Sequence, residues 1–210
     1  MIKLLVVDDH PVVRQGIRQM LADAVDIVVE DDAVNGAEAL TKGRRNHWNA
    51  ILLDLSMPGS DGLEILKQLR FERPEMPILV LSMHPEDQFA LRAIRAGASG
   101  YLTKDSAPQE LVTAIRKVVA GGHYVSPWLA ARLAREIASN SPKPPHEELS
   151  DREYQVMMRI ASGKTTKEIA SELCLSPKTV GTYRLRLAKK MNLSTDAELT
   201  AYVFRNRLLE

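Results

Sequence analysis

The 210-residue sequence is poor in cysteine and in aromatic residues, with Cys174 as its one cysteine and aromatics at 5%. A lone cysteine excludes an internal disulfide framework and is compatible with a reducing compartment. No apolar stretch approaches the roughly 18 residues that a membrane helix needs, and the residues after Met1 enter a strand-like run too short for a signal peptide. The scattered histidines form no Cys/His cluster of the kind that binds structural zinc. We therefore expect a soluble cytoplasmic protein with no membrane contact.

The sequence also has no excess of charge of one sign, since its formal net charge is +1. The local density of charge is more informative than this total. Between Lys164 and Lys190 there are seven basic residues and two acidic ones. A segment this basic can contact the phosphate backbone of a nucleic acid, although an exposed helix face gives the same count.

The first part of the chain contains a regular alternation of apolar runs and amphipathic stretches. The apolar runs predict strands over Lys3–Val7, Ile27–Glu30, Ala50–Asp54, Ile78–Leu81 and Gly100–Leu102. The amphipathic stretches have helical spacing and predict helices over Val12–Ala22, Gly36–Arg45, Gly62–Phe71, Asp87–Ala96 and Gln109–Ala120. Strands this apolar indicate a parallel sheet that is covered on both faces. We therefore predict a doubly wound (βα)5 domain of the α/β class.

A proline-rich segment separates this domain from the rest of the chain. Residues 127–139 predict one further helix, and three of the four residues at 142–145 are prolines, which favours a semi-extended linker. Beyond the linker the periodicity indicates only helices, over Asp151–Ser162, Thr166–Leu173, Pro177–Met191 and Asp196–Leu208. We therefore divide the chain into an α/β domain at 1–122, a linker with a helix at 123–146 and an all-α domain at 147–210.

Charged and polar residues close or follow the predicted strands. Asp8 and Asp9 follow the first strand, Asp54 closes the third, and Ser82 and Lys104 come after the fourth and fifth. Because the carboxyl ends of parallel strands share one edge of a sheet, these side chains should meet in a cleft where ligands of such sheets bind. Neighbouring carboxylates repel unless a cation lies among them, and their hard oxygens favour Mg²⁺. The pattern predicts a site that binds Mg²⁺ and carries a phosphoryl group on an aspartate.

This order of residues resembles the receiver domain of two-component response regulators. The resemblance extends to the turn at 54–59 and to the pair Asp61-Gly62. Asp105 follows Lys104, as in the NarL/FixJ branch, where many other receivers have proline. The resemblance implies that Asp54 accepts a phosphoryl group from a sensor histidine kinase.

The resemblance also implies roles for the other residues of the cleft. The implied magnesium ligands are Asp8, Asp9, Asp54 and the backbone carbonyl of Ser56. Ser82 would donate a hydrogen bond to a phosphoryl oxygen, Lys104 would form an ion pair with another, and Tyr101 would be the switch aromatic. Phosphoryl transfer needs positioning and charge neutralisation more than covalent help, which agrees with these roles.

An enzyme with a similar cleft is the main rival from another class. Phosphatases with an aspartate nucleophile also pair Mg²⁺ with an acceptor aspartate on a parallel sheet. They need a second carboxylate two residues after the nucleophile, and Ser56 occupies that position here. We therefore expect a regulatory protein whose only catalysis is the Mg²⁺-dependent phosphorylation and dephosphorylation of its own Asp54.

The all-α domain has the pattern of a helix-turn-helix. Ser150 and Glu153 form a capping box at the start of its first helix, and Ser176-Pro177 gives the third helix an N-cap and a proline at its first position. Two short helices joined by a tight turn, the second of them basic, are typical of this DNA-binding motif. An exposed solubilising face remains the alternative interpretation of the same pattern.

Helical geometry divides the basic helix into two faces. The stripe that we expect to face the core contains Val180, Tyr183, Leu187 and Met191. Thr182 and Leu185 on the opposite face can contact base edges or a thymine methyl, whereas Arg184 lies nearer the core stripe and should reach the DNA backbone. The residues predicted to contact DNA are Lys178, Thr179, Thr182, Arg184, Leu185, Arg186 and Lys189.

Residues 149–199 resemble the LuxR-type helix-turn-helix of NarL/FixJ regulators. The matching residues are Lys167-Glu168-Ile169-Ala170 and Leu175-Ser176-Pro177-Lys178-Thr179-Val180. The sequence departs from the family at Tyr183, which replaces a usual histidine, at Gly181, where a longer side chain is frequent, and at Cys174, where glycine is common. We expect Cys174 to be a packed turn residue rather than a redox sensor. The resemblance implies a homodimer that contacts double-stranded promoter DNA, pairs through the final helix and works with RNA polymerase.

Together these patterns predict a transcription regulator that is phosphorylated on Asp54 and binds promoter DNA through its all-α domain. The alternative is a DNA-binding regulator that is never phosphorylated and uses the receiver as a dimerisation module. Two activation schemes are open at this point. In one, the unphosphorylated receiver covers the face from Lys178 to Lys189, and in the other, phosphorylation strengthens dimerisation. Either needs a free-energy difference of only a few kcal/mol between two states.

Overall fold

The computed structural model of the chain describes residues 1–45, 47–57, 61–83, 86–138, 144–206 and 208–209. It contains two compact units, Met1–Ala138 and Ser139–Glu210. Part of the turn at 54–59 and residues 139–143 of the predicted linker lie outside the described residues. Within the described part of the chain, no helix is long and apolar enough to cross a membrane.

The first unit contains the predicted alternation of strands and helices. Its strands are β1 (Ile2–Val7), β2 (Ile27–Ala33), β3 (Ala50–Asp54), β4 (Ile78–Ser82) and β5 (Gly100–Thr103). Its helices are α1 (Pro11–Met20), α2 (Gly36–Gly43), α3 (Gly62–Glu72), α4 (Glu86–Arg95), α5 (Pro108–Val119) and α6 (Pro127–Ala138). The predicted (βα)5 fold is confirmed, and the largest difference is the end of β2, which continues past Glu30 because its pairing with β1 resumes after an irregularity between Leu4 and Leu5.

The strands form one parallel sheet in the order β2-β1-β3-β4-β5. Every residue of β3 and β4 is buried, as expected for central strands that are covered on both faces. The sheet packs against an apolar cluster that includes Ile17 of α1 and Ile115 of α5. Because the chain order reverses at β1 and β3, the ends of these two neighbouring strands mark the point where ligands of such sheets bind.

The residues that follow α5 belong to the first unit and extend the edge of its sheet beside β5. The backbone N–H of Tyr124 donates to Ser99 O at 2.9 Å, and that of Tyr101 donates to Tyr124 O at 3.2 Å. Gly100 permits this approach, since a Cβ there would lie 2.6 Å from the Tyr124 carbonyl oxygen. The helix predicted after residue 127 is present as α6, which packs against α4 and buries Leu129 completely.

The second unit begins with a 3-10 helix (Pro145–Glu148), which the sequence reasoning missed. Four α-helices follow, and all four were predicted: α7 (Asp151–Ala161), α8 (Thr166–Glu172), α9 (Pro177–Met191) and α10 (Asp196–Arg205). The capping box of Ser150 and Glu153 is confirmed. Helix α7 packs against α9 and α10, and α8 packs against α9.

The turn between α8 and α9 contains Cys174 in the left-handed region, with φ +52°. The backbone N–H of Cys174 donates to Ser171 O at 3.3 Å, and the backbone N–H of Leu175 donates to Ala170 O at 2.8 Å. These two hydrogen bonds close the end of α8. A glycine adopts this conformation without steric cost, which explains why glycine is common here. The prediction that Cys174 is packed is wrong, because its side chain is exposed.

Replacing Cys174 by glycine should therefore stabilise the second unit. Relief of the left-handed strain is worth about 1 kcal/mol for a residue with a side chain, partly offset by the larger entropy of glycine in the unfolded chain. We expect amide hydrogens of α8 and α9 to exchange several-fold more slowly in the full-length variant. Asn192 is the matched control, since it also has φ +52° but belongs to a residue type that tolerates it, so Asn192→Gly should change exchange less. Faster exchange in Cys174→Gly would contradict this explanation.

Candidate functional site

Three charged side chains meet at the carboxyl edge of the sheet. Asp8 follows β1, Asp54 closes the adjacent β3, and Lys104 follows β5. The Lys104 Nζ atom lies 2.6 Å from Asp8 Oδ2 and 2.8 Å from Asp54 Oδ2. The two carboxylates are almost completely buried, and the lysine side chain is 8% exposed. One ammonium group therefore bridges two buried carboxylates, as the predicted cleft required.

The turn after β1 adds two further groups to this cleft. The His10 backbone N–H donates to Asp8 Oδ1 at 2.8 Å, and the His10 Nδ1 atom lies 3.0 Å from Asp9 Oδ1. The Ser56 backbone N–H donates to Asp54 Oδ1 at 3.0 Å. One potential ligand atom from each of Asp8, Asp9, His10 and Asp54 lies within 4.8 Å of the others. Sequence reasoning did not include His10, and its position directly after the acidic pair was the only available signal.

The electrostatics of the cleft leave it short of positive charge. Burial raises the pKa of the Asp54 carboxyl and the nearby Asp8 adds to this effect, while Lys104 and the Ser56 N–H oppose it. Burial alone would lower the pKa of the Lys104 ammonium, but its contacts with Asp54 and Asp8 outweigh burial and raise it. The cleft thus holds three carboxylates, of which Lys104 contacts two, Asp8 and Asp54.

This set of groups fits Mg²⁺. Its donors are hard carboxylate oxygens, which Mg²⁺ prefers, and a divalent cation would offset their mutual repulsion. The buried Asp9 Oδ1 has His10 Nδ1 3.0 Å away, but it accepts no well-aligned hydrogen bond from the described residues, so it has capacity for a ligand. The acidic cluster predicted from the sequence is therefore present.

Ser82 lies on β4, which is next to β3, and Tyr101 lies on β5, the strand on the far side of β4. Ser82 ends β4, is fully buried, and accepts a backbone hydrogen bond from Lys104 N at 2.9 Å. Tyr101 in β5 is opposite Val80 and is only 2% exposed. The structure therefore brings Ser82 to the acceptor edge beside Lys104, and it buries the ring of Tyr101.

In the second unit, α9 has one buried and one exposed face. Val180, Leu187 and Met191 are buried as predicted, whereas Tyr183 at the edge of that stripe is half-buried. The exposed positions include six of the seven residues predicted to contact DNA: Lys178, Thr182, Arg184, Leu185, Arg186 and Lys189.

Three of the predicted DNA contacts have structural partners, and one of these is Thr182, whose hydroxyl donates to Lys178 O at 3.1 Å within α9. Thr179 is half-buried, and its backbone N–H donates to the N-cap oxygen Ser176 Oγ at 3.0 Å. Arg184 forms an ion pair with Asp196 at the start of α10, with 2.5 Å between Nη2 and Oδ2. Thr179 therefore stabilises the start of α9, and Arg184 joins α9 to α10.

The two units match two known families. Residues 4–116 match the response regulator receiver domain, and residues 147–203 match the luxR family of bacterial regulatory proteins. The fold, the acidic cleft and these matches define a response regulator. The chain belongs to the NarL/FixJ family, in which a receiver domain is followed by a LuxR-type helix-turn-helix, so the resemblance seen in the sequence is confirmed.

Relatives of known name align along the whole chain. The response regulator GacA of Pseudomonas protegens is 41% identical over 210 residues, which cover 100% of this chain and 99% of that protein. The response regulator UvrY of Escherichia coli K12 is 40% identical over 209 residues, covering 99% and 96%. A solved structure of RcsB from Salmonella enterica serovar Typhimurium, bound to promoter P1flhDC in the presence of the phosphomimetic BeF3−, has 25% identity and a TM-score of 0.58, with 96% and 97% of the chains covered.

Proposed function

We propose that this response regulator accepts a phosphoryl group on Asp54 from a sensor histidine kinase and then regulates transcription by binding promoter DNA. The observation that carries this proposal is the buried Asp54 at the end of β3, with the Lys104 ammonium 2.8 Å from its Oδ2 atom. A carboxylate in this setting has a neighbouring cation to neutralise incoming phosphoryl oxygens. We propose that its only catalysis is the Mg²⁺-dependent phosphorylation and dephosphorylation of its own Asp54.

In the proposed transfer, an oxygen of Asp54 attacks phosphorus in line with the bond to the donor. That bond breaks, and the donor leaves with its electron pair. Lys104 pairs with one phosphoryl oxygen, and the hydroxyl of Ser82 donates a hydrogen bond to another. Mg²⁺, held by Asp8, Asp9, Asp54 and the Ser56 carbonyl, would supply charge neutralisation at the transferred group.

The metal proposal predicts that Mg²⁺ stabilises the first unit. A ligand at 100 times its dissociation constant adds about 2.7 kcal/mol to stability. Both tryptophans of the chain, Trp48 and Trp128, lie in this unit, so fluorescence follows its unfolding selectively. We expect Asp9→Asn to require at least ten-fold more Mg²⁺ for the same shift in melting temperature, because Asp9 has no contact with Lys104 that would mask the loss. The exposed Asp23→Asn should behave like the wild type, and an unchanged requirement in Asp9→Asn would remove Asp9 from the ligand set.

The proposed switch begins with the charge added at Asp54. Phosphorylation adds about −1.5 to −2 units of charge to the carboxyl edge of the sheet. Ser82 and Lys104 would move to meet it, and Tyr101 would follow within β5. Tyr101 donates a backbone hydrogen bond to Tyr124, which gives a direct connection to the chain that leads into α6. Release of a covered DNA-binding face and strengthened dimerisation are both open as the consequence.

The DNA-binding part of the proposal rests on the exposed face of α9. Lys178 and Lys189 would bind phosphate or guanine, Thr182 and Leu185 would contact base edges, and Arg184 and Arg186 would reach the backbone. The RcsB structure on promoter DNA with a phosphomimetic supports the same mode of action in this chain. We further propose that the protein is a cytoplasmic homodimer that pairs through α10 and works with RNA polymerase. We also propose that its receiver domain covers residues 1–122, its linker 123–146 and its DNA-binding domain 147–210.

The α9 proposal predicts a change in the salt dependence of DNA binding. Each phosphate contact that is lost should lower the slope of log affinity against log salt by about one. We expect Lys178→Ala/Lys189→Ala to bind a random-sequence duplex more weakly and with a slope smaller by about two per protomer, measured by fluorescence anisotropy. Lys67→Ala on α3 removes an exposed lysine from the other unit and should leave the slope unchanged. Equal slopes in the wild type, in Lys178→Ala/Lys189→Ala and in Lys67→Ala would show that these two lysines of α9 do not contact phosphate.

The alternative of a regulator that is never phosphorylated is less well supported. Such a protein has no need for buried carboxylates bridged by a lysine, and the arrangement of Asp8, Asp54 and Lys104 is complete. Substitution of any one of the three would be expected in a receiver that serves only for dimerisation.

A further inference from the structure

Leu185 stands out on the exposed face of α9, because its side chain is apolar and 75% exposed. The other predicted contacts on that face are polar or charged. Leu187, two positions on, is buried in the unit, so the helix has its core contacts without Leu185. A single exposed leucine is common on protein surfaces and does not by itself indicate a binding site. The additional observation here is the residue one helical turn earlier, Gly181.

Gly181 lies four residues before Leu185 and therefore on the same face of α9. A Cβ built at Gly181 meets nothing within 4 Å, so no packing inside the protein requires glycine there. Glycine in a helix interior nevertheless costs about 1 kcal/mol relative to alanine. The protein thus carries a destabilising residue at a half-buried position where a larger one fits.

The direction of helical side chains joins the two residues. A long side chain in a helix leans toward the N-terminus and covers the turn before its own Cα. The side chain of Leu185 is therefore expected to lean toward Gly181, while the space within 4 Å of a Gly181 Cβ stays open. The result is a shallow apolar notch, with Gly181 as its floor and Leu185 as its wall, beside Thr182.

We infer that this notch is a specificity determinant that accepts the 5-methyl group of a thymine in the major groove. The thymine methyl is the one apolar group that base edges present there. The bare backbone at Gly181 allows the helix to approach the base closely enough for Leu185 to cover that methyl. The inference rests on the proposed DNA binding and adds to it the base that one part of α9 selects.

The test starts from a DNA site chosen by the protein itself. Duplexes are selected from a random library with the full-length chain in the presence of acetyl phosphate. Each thymine of the selected site is then replaced singly by deoxyuridine, which removes only the methyl group. We expect one thymine in each half-site to lose about four-fold in affinity on replacement, the worth of one buried methyl group.

Two variants assign this discrimination to the notch. Leu185→Ala should bind the thymine and uracil forms equally, and Gly181→Ala should do the same although its helix is more stable. Gly16→Ala is the matched control, since a Cβ at Gly16 of α1 also meets nothing within 4 Å. It should retain the full four-fold preference.

The outcomes separate this inference from the proposed function. If the library yields no enriched sequence and no binding, the DNA-binding function itself fails. If a site is enriched but no thymine replacement changes affinity, or the half-site contains no thymine, the function stands and the inference is overturned. If Leu185→Ala loses the preference for thymine over uracil but Gly181→Ala retains it, Gly181 is not part of the determinant and the inference is overturned.

Discussion

Asp54→Asn should abolish incorporation of phosphoryl groups from acetyl phosphate and, at neutral pH, stabilise the first unit. The amide lacks the nucleophilic carboxylate, so the loss should be complete. The stabilisation follows from the pKa of Asp54, which burial raises above the usual 3.8. Such a carboxyl costs stability in its ionised form, and the cost grows as the pH rises through the raised pKa. The amide has no charge and avoids it, while its oxygen can still accept from Ser56 N–H.

Two measurements on the full-length protein check this prediction. Intact mass after incubation with acetyl phosphate and Mg²⁺ reports incorporation, and tryptophan fluorescence during urea unfolding reports stability. The gain in stability should be larger at pH 7 than at pH 4, where Asp54 is partly protonated. Asp105→Asn is the control, because Asp105 is exposed beside Lys104 and should leave incorporation intact. Normal incorporation in Asp54→Asn would show that another residue is the acceptor.

Lys104→Met should have the largest effect on stability of any substitution in the cleft. It leaves two buried carboxylates side by side without their shared ammonium group. Removing one partner of a buried ion pair typically costs about 3–5 kcal/mol, and little discount for solvent applies because the lysine side chain is 8% exposed. The pKa of Lys104 is raised above 10.5, so its contribution is fully present in the wild type throughout the neutral range.

The loss in Lys104→Met should depend on pH and on Asp54. It should shrink as the pH falls toward 3.8, the ordinary value for an aspartate, because protonation of Asp54 removes one of the two charges. The double variant Lys104→Met/Asp54→Asn should recover most of the stability, as expected for residues in direct contact. Lys67→Met, an exposed lysine on α3, should change stability by less than about 0.5 kcal/mol. A loss that is independent of pH, with no recovery in the double variant, would show that the ammonium does not serve to neutralise the carboxylates.

The sequence was sufficient to predict the fold because each element has a strong local signal. The central strands are uninterrupted apolar runs, and α9 begins with a serine N-cap and a proline. The cleft was predictable for the same reason, since Asp8, Asp54 and Lys104 occur where strands end. Parallel strands place such residues together whatever the details of the loops.

The features that sequence reasoning missed depend on contacts between distant residues. Tyr124 extends the edge of the sheet through a single bridge to Gly100, which leaves no periodic pattern. The ion pair of Arg184 with Asp196 joins two helices, and neither residue is distinguished by its local context. The exposure of Cys174 follows from its backbone conformation, which is a property of the whole turn. Helix ends and loop contacts are set by tertiary packing, which local propensity does not encode.

Control of DNA binding by Asp54 is tested most directly by one binding experiment. A duplex selected by the protein is titrated with wild type and with Asp54→Ala, each with and without acetyl phosphate, at one salt concentration. Coupling of the two units predicts that acetyl phosphate tightens binding of the wild type only. Equal affinity in all four samples would retain the DNA-binding function and contradict the phosphorylation switch.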